Sequence, residues 1–316
     1  MDIALYVTNI AVNTVVIVVD IAVIFVAIKT KEIAQHLILW TIFLCMGTDI
    51  AVYLNTIIHD VPSSFMNADL FKTPEQAYLS ILFLHLQWFS QLFTLLVLSA
   101  LHFIAAFFPA NFRAILPQHM LMINLLIVFI GVLFTVPTYT PYCGFSYIVD
   151  GHYWFFDLSK PYSHLYWRCN IVLQVICAIV VVCADIAIIW EIRMLRIAVT
   201  KKHTSSFIST TDTVMKTRAQ HEKSINREIR IAVSFLLLSA CFLTMTIAWN
   251  LPFRQGIWQD LIFKFTFNLN LLKWAIYTLG SAKIRQELLR FCGSRQVGTS
   301  TTLPLGKLPS ARRIFL

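Results

Sequence analysis

Charge is scarce in this chain: Asp, Glu, Lys and Arg make up 13% of its 316 residues, and only 16 of them are carboxylates. Hydrophobic residues make up 58%. A water-soluble domain of this length has too little interior to hide so much apolar surface, so a soluble globular fold is excluded. No stretch reads as a second, water-soluble domain. Zinc-finger spacing, a P-loop and an aromatic-basic RNA-binding motif are all lacking, so the net charge of +9 does not signal a nucleic-acid partner. No convincing Ser/His/Asp set or His-x-x-x-His site occurs. Asp20 and Asp49 lack the Gly-x-Gly-Asp or Tyr-Asp context of an intramembrane aspartyl dyad. The chain is therefore not read as an enzyme, and no metal or cofactor is expected. Asn-x-Ser/Thr sequons are absent, and two residues precede the first apolar run, which leaves little room for a domain that binds a protein hormone.

What the chain does have is seven apolar runs, at 3–28, 34–58, 77–108, 118–138, 170–198, 229–251 and 258–280. Each reaches the roughly 20 residues that cross a bilayer. Each must be helical, because hydrocarbon leaves no partner for an unpaired backbone group. The first run is too long for a signal-peptide core and lacks a basic start and a small-residue cleavage site, so it reads as an uncleaved anchor. The expectation is an all-α membrane protein, a seven-transmembrane helix bundle, with residues 1–292 as its body and 293–316 as a tail. Alternate gaps between the runs hold 19 and four Lys or Arg residues. Basic gaps stay cytoplasmic, which predicts the N-terminus outside and the C-terminus in the cytoplasm. That is opposite to the insect odorant channels.

The gap from Tyr139 to Arg168 then faces outward. It is crowded with aromatics, among them Tyr147, Tyr153, Trp154, Phe155 and Phe156, and reads as an interfacial belt and lid over a pocket. Its Cys143 and the adjoining Cys169 lie on the oxidising side, where cysteines tend to pair. Cys45, Cys177, Cys183 and Cys241 read as small apolar residues of the spans.

Seven spans, an outer N-terminus, a cysteine-bearing second outer loop and a basic third inner loop together resemble the rhodopsin-like G-protein-coupled receptors. Span two, "LILWTIFLCMGTDIAVYL", places Asp49 where such receptors keep a buried aspartate. Span seven, "KWAIYTLGSAKIRQELLRFC", places Tyr277 at the tyrosine of their Asn-Pro-x-x-Tyr motif. Ile284-Arg285 then matches the start of a short amphipathic eighth helix at 281–292, and Cys292 the usual palmitoylation site. "LHFIAAFFP" and "CGFSYIVDGHYWFF" followed by a cysteine are similar to the nematode serpentine chemoreceptors of class X. The resemblance implies a multi-pass plasma-membrane receptor of a sensory cell, the cilium included, with olfaction as the setting. Its partners would be a small extracellular ligand, a heterotrimeric G protein and the lipid bilayer. His102 replaces the arginine that contacts G protein, and Lys273 and Trp274 replace the Asn-Pro pair. No cysteine stands at the top of span three, so the resemblance points to a loop-internal Cys143–Cys169 bridge.

A charge well inside a span costs about 2.5–3.5 kcal/mol on insertion and normally has a partner. Asp20, Asp49, Asp185 and Lys273 are the main set, and Lys273 with Asp49, joined by Asp20, is the expected ion pair; helix locking without switching is the alternative. His102 is expected to form a weak lock to Glu228 or Glu222 at the foot of span six. Candidate ligand contacts are the polar or aromatic residues in the outer turns of spans three, five, six and seven: His85, Gln87, Trp88, Gln174, Trp249, Asn250 and Phe267. A retinal Schiff base on Lys264 is the light-sensing alternative, but Lys264 lies 13 residues before Tyr277, about one turn further out than the opsin lysine. Ser205, Ser206, Ser209, Thr210 and Thr211 offer phosphorylation sites in the third inner loop. A transporter or channel is the competing class. Against it stand the odd span number and the lack of internal repeats or of a broken helix pair. A receptor-like subunit that no longer couples is a third reading.

Overall fold

The computed structural model describes residues 3–35, 38–149, 151–205, 233, 236–248, 257–279 and 281–291. Helix α1 (Ile3–Lys29) buries Tyr6, Asn9, Asn13, Val16, Ile17, Asp20, Val23 and Ala27, a stripe that recurs every three or four positions. Val15, Val18, Phe25 and Ile28 on its other face are exposed, as are Met122, Leu125, Phe129, Val172, Ile179 and Ile186 on later helices. An apolar exterior around buried Asn, Asp and Gln inverts the pattern of a soluble protein, as hydrocarbon surroundings require.

Lys31, at φ 58°, turns the chain into the short α2 (Glu32–Gln35). Helix α3 (Ile38–Asn55) passes through a π turn, Thr56–Asp60, into α4 (Val61–Met66). Pro62 has no N–H and crowds the carbonyl a turn before it. The π turn accommodates it: Val61 N–H reaches back five residues to the Thr56 carbonyl. Asn67, at φ 50°, ends the helix in a Schellman cap, with Ala68 N–H on Ser63 O at 3.1 Å and Asn67 N–H on Ser64 O at 3.4 Å. Helix α5 (Pro74–Phe107) begins with proline at its first position, where no N–H is needed. Gln76 Oε1 accepts from Lys72 N–H at 2.7 Å and Thr73 N–H at 3.3 Å just before it. Pro109 disfavours helical geometry at Phe108, which stops the helix there. Then come α6 (Pro109–Arg113), α7 (Pro117–Thr135) with a 3₁₀ turn to Tyr139, α8 (Ser163–Ser205), α9 (Leu236–Ala248), α10 (Ile257–Leu279) and α11 (Ala282–Phe291).

Among the described residues five helical stretches are long and apolar enough to cross a membrane: Ile3–Lys29, Ile38–Met66, Glu75–Phe107, Pro117–Tyr139 and Ser163–Glu191. With α9 and α10 they make a seven-helix bundle. Helix α5 lies at its centre, packed on α3, α7 and α8, while α1 packs on α3, α10 and α11. The α3–α5 seam is polar along its length. Asn55 Oδ1 accepts from Ser80 Oγ at 2.5 Å, Thr48 Oγ1 meets Ser90 Oγ at 3.5 Å, and Cys45 Sγ meets Thr94 Oγ1 at 3.2 Å. Such pairs set register between helices where apolar burial cannot.

The outer loop, expected as a belt and lid, contains a hairpin: β1 (Phe145–Ile148) and β2 (Tyr153–Phe156) pair antiparallel, with Tyr147 opposite Trp154 and Phe145 opposite Phe156. The expected Cys143–Cys169 disulfide is corrected: it is absent. Cys143 is a buried free thiol in the loop and Cys169 an exposed one on α8, so the two side chains occupy different environments. Burial pushes the Cys143 thiol pKa up, with nearby Lys160 opposing it, which disfavours the reactive thiolate. Helix α8 also begins at Ser163, seven residues before the apolar run, and Glu228 and Cys292 lie outside the described residues.

Candidate functional site

The hairpin lies across one end of the bundle and roofs a cavity of about 390 Å³. Two helices line it in the same way, since positions i, i+3, i+4 and i+7 share a helix face: α1 with Tyr6, Asn9, Ile10 and Asn13, and α5 with Leu84, Gln87, Trp88 and Gln91. Helix α8 adds Trp167, Asn170 and Gln174, α9 adds Met245, and α10 adds Lys264, Phe267 and Asn270. Five of the residues named from sequence, His85, Gln87, Trp88, Gln174 and Phe267, are therefore brought together on its wall. Trp249 and Asn250 lie outside the described residues.

The roof follows from strand alternation, which sends Phe145, Tyr147, Trp154 and Phe156 to one face. Tyr147 and Trp154 are buried. Trp154 Nε1 donates to Asp60 Oδ1 at 2.9 Å, Tyr147 OH donates to the Asp60 carbonyl at 3.2 Å, and Ser64 Oγ lies 2.7 Å from that phenol. Burial raises the Tyr147 pKa. His59, 1% exposed, lies between two carboxylates, with Nδ1 2.8 Å from Asp60 Oδ1 and Nε2 2.8 Å from Asp69 Oδ1. Each ring nitrogen is thus within hydrogen-bond distance of one carboxylate oxygen. Phe71 stacks on it at 3.9 Å between ring centroids, and Tyr147 meets it edge-on at 5.2 Å. This latch fastens the lid to the α3–α4 end. The sequence reading missed it, although His59-Asp60 beside Pro62, at the end of an apolar run, was its visible trace.

Beneath the floor made by Gln87 and Gln91 lies Asp49, 1% exposed, whose Oδ1 accepts from Gln87 Nε2 at 2.5 Å and Gln91 Nε2 at 2.6 Å. Gln91 Oε1 in turn accepts from Asn270 Nδ2 at 2.7 Å. The result is a hydrogen-bonded chain from α10 through α5 to α3. Asp20 is fully buried close to Asp49, and neither of its oxygens has a hydrogen-bond partner among the described residues. The side chains of Lys273 and Tyr277 lie outside the described set. Asp185 is buried on α8 facing Ser239 of α9. On the wall between α1 and α10, Asn268 Nδ2 donates to Asn9 Oδ1 at 2.8 Å, and Lys264 Nζ lies 5.7 Å from the centre of the Tyr6 ring. His152, at φ 53° in the hairpin turn, stacks on the same tyrosine at 4.7 Å.

At the opposite end His102 is buried at the foot of α5, and its Nδ1–H donates to the Leu98 carbonyl at 2.7 Å. Its ring is folded back along its own helix. Helix α11 seats Ile284, fully buried, in the main apolar core beside Val23, Leu95 and Trp274, and leaves Arg285 exposed. Lys283 Nζ reaches Glu32 Oε1 at 2.6 Å and the Thr30 carbonyl at 3.1 Å, tying α11 to the α1–α2 turn.

The structure superposes on the crystal structure of squid rhodopsin with a TM-score of 0.69, at 13% sequence identity, over 96% of this chain and 92% of that one. The fold is the rhodopsin seven-helix fold. No family model and no curated protein sequence matches the chain. Lys264, the one lysine on the cavity lining among the described residues, stands beside the Tyr6 ring.

Proposed function

We propose that this chain is a chemosensory G-protein-coupled receptor of the serpentine, class X-like kind, which binds a small extracellular molecule in the lidded cavity. The observation that carries the reading is the cavity itself, inside a rhodopsin-type bundle. It is lined by aromatic rings and carboxamides and closed by a hairpin latched through His59. Apolar walls with a few convergent polar groups are what small-molecule sites are made of. The 19-to-four division of basic residues supports an outer N-terminus, with the hairpin facing the medium and the α11 end facing the G protein. A ligand acts by binding one of two helix packings more tightly than the other. The test is the expressed receptor screened against volatile and water-soluble odorants with a second-messenger readout. A saturable response lost in Gln87→Leu at equal surface level is expected. Ligand-evoked current in cells lacking G proteins would instead assign the chain to channels.

A further inference from the structure

We propose that the cavity takes an uncharged, hydroxyl-bearing molecule, an alcohol or phenol, which donates its hydroxyl proton to the Asn13 carboxamide and lays its apolar body under the hairpin against Phe145, Phe156 and Trp167. This rests on the cavity being the ligand site and names the ligand's class.

The lining offers a charged ligand no open counter-charge. Asp60 has Oδ1 met by the His59 ring and by Trp154 Nε1 at 2.9 Å, and Oδ2 by Thr56 Oγ1 at 3.3 Å. Lys264 lies over the Tyr6 ring and is engaged within the protein. Among the described residues the carboxylate and the ammonium of the lining are thus both committed. An ion entering from water would give up its hydration for no partner of opposite charge, which favours a neutral occupant. The neutral polar groups of the wall share one sense. Asn13, 5% exposed, lines the α1 side, and its Oδ1 has no hydrogen-bond partner among the described residues. Gln87, 6% exposed, gives an amide N–H to Asp49 Oδ1 at 2.5 Å, which leaves its carbonyl end, an acceptor, turned from that carboxylate. His85 gives Nδ1–H to the Ile81 carbonyl at 3.0 Å, so the neutral ring, set among Phe89, Phe145 and Phe156, keeps its lone pair on Nε2. All three residues line the cavity, and a buried acceptor without a donor is costly. A hydroxyl proton answers such a wall, whereas an ether, ester or ketone brings only further lone pairs. Asn13 takes that proton, because its oxygen is the buried acceptor left without a donor. The aromatic rings of the lid and of α8 set the shape of the remainder.

The experiment measures thermal stabilisation of the purified receptor by phenylalkanols, compared with the methyl ethers, hydrocarbons, carboxylic acids and amines of the same skeletons. Alcohols are expected to dominate the stabilising compounds. Each methyl ether keeps the oxygen and loses the proton, and should bind about tenfold or more weakly than its alcohol, the weight of one buried hydrogen bond left unmade. Asn13→Leu should close most of that alcohol-over-ether gap, a difference that altered packing alone does not move. The unliganded melting temperature separates lost binding from lost folding, and Asn13→Ala carries the comparison should Asn13→Leu prove unstable. Binding is read without G protein, so a receptor stabilised by alcohols that gives no second messenger would sink the coupling claim and leave the ligand class standing. Ethers, hydrocarbons, acids or amines stabilising as well as the alcohols would overturn the proposal and leave the cavity a ligand site, whereas no compound of any class stabilising would overturn both. A gap between alcohol and ether undiminished in both Asn13 variants would overturn the placing of the hydroxyl.

Discussion

His59 shows how much one side chain can hold when it lies between two carboxylates under a lid. Its removal takes a hydrogen-bond partner from the buried Asp60, and a buried polar group left short of a partner costs about 1–3 kcal/mol. His59→Leu is therefore expected to lower the melting temperature in detergent markedly, and His59→Gln, which keeps one donor, by less. Equal stability in all three proteins would remove the latch. Tyr147 adds a pH signature. Its folded pKa is raised by burial above the ordinary value of about 10. The folded state thus holds the phenolic proton more tightly than the unfolded chain, and the stabilisation is complete below that ordinary value. It is lost as pH rises from there towards the folded pKa. Ultraviolet titration should show one fewer late-ionising phenol in Tyr147→Phe than in the parent. Gln87, Trp88 and Gln174 could be read from sequence because a polar group in an apolar run needs an interior place. Asn9 and Asn13 carried the same signal on the first span but were passed over for the later ones. His59 and Asp60 could not be read as a latch, because Tyr147 and Trp154, which complete it, lie 87 and 94 residues from Asp60.

Hydropathy reports where a helix is apolar, and elements are longer than that. The stretch "SHLYWRC" is polar and aromatic, so α8 was expected to begin after it; backbone bonding starts there all the same, with Tyr166 N–H on the Tyr162 carbonyl at 2.9 Å. The hairpin was hidden for the opposite reason: aromatics at every position from Tyr153 to Phe156 erase the polar–apolar alternation that marks a strand. Close helix contact is easier to anticipate from a small residue. Gly131 is where α7 approaches α5, since a Cβ placed there would meet Leu86 Cδ1 at 3.0 Å and Phe89 Cβ at 3.8 Å. Gly131→Ala asks only that the flexible end of Leu86 yield slightly. Gly131→Val and Gly131→Leu overfill the contact, at about 1–3 kcal/mol. A graded fall in thermal stability from Gly to Ala to Val to Leu is expected, and a flat series would show that the two helices part without cost.

At the scale of the whole molecule, three helices are joined across the bundle by the chain of hydrogen bonds from Asn270 on α10 through Gln91 on α5 to Asp49 on α3. A ligand in the cavity touches this chain, because Gln87, Gln91 and Asn270 all line it. The rhodopsin-type bundle was legible from seven apolar runs. The glutamine half of this hydrogen-bonded chain was not legible as such: Gln87 was read as a ligand contact, and its amide and that of Gln91 are the described donors to Asp49 Oδ1, while the side chain of Lys273, the partner expected for Asp49, lies outside the described set. Asp49→Asn keeps one oxygen for the two glutamine amides but removes the charge that strengthens their bonds, so the hold of α3 on α5 weakens. If that hold favours the resting packing, ligand-free second-messenger output rises severalfold, in line with coupling energies of about 1–3 kcal/mol. Thr48→Ala, which trims the longer contact to Ser90 in the same seam, is expected to leave output near the parental level. Surface amounts are equalised with an N-terminal epitope, which the distribution of basic residues predicts to be accessible on intact cells. Parental output from Asp49→Asn at matched surface level would reduce the floor to a fastening between two helices, with the switch carried elsewhere.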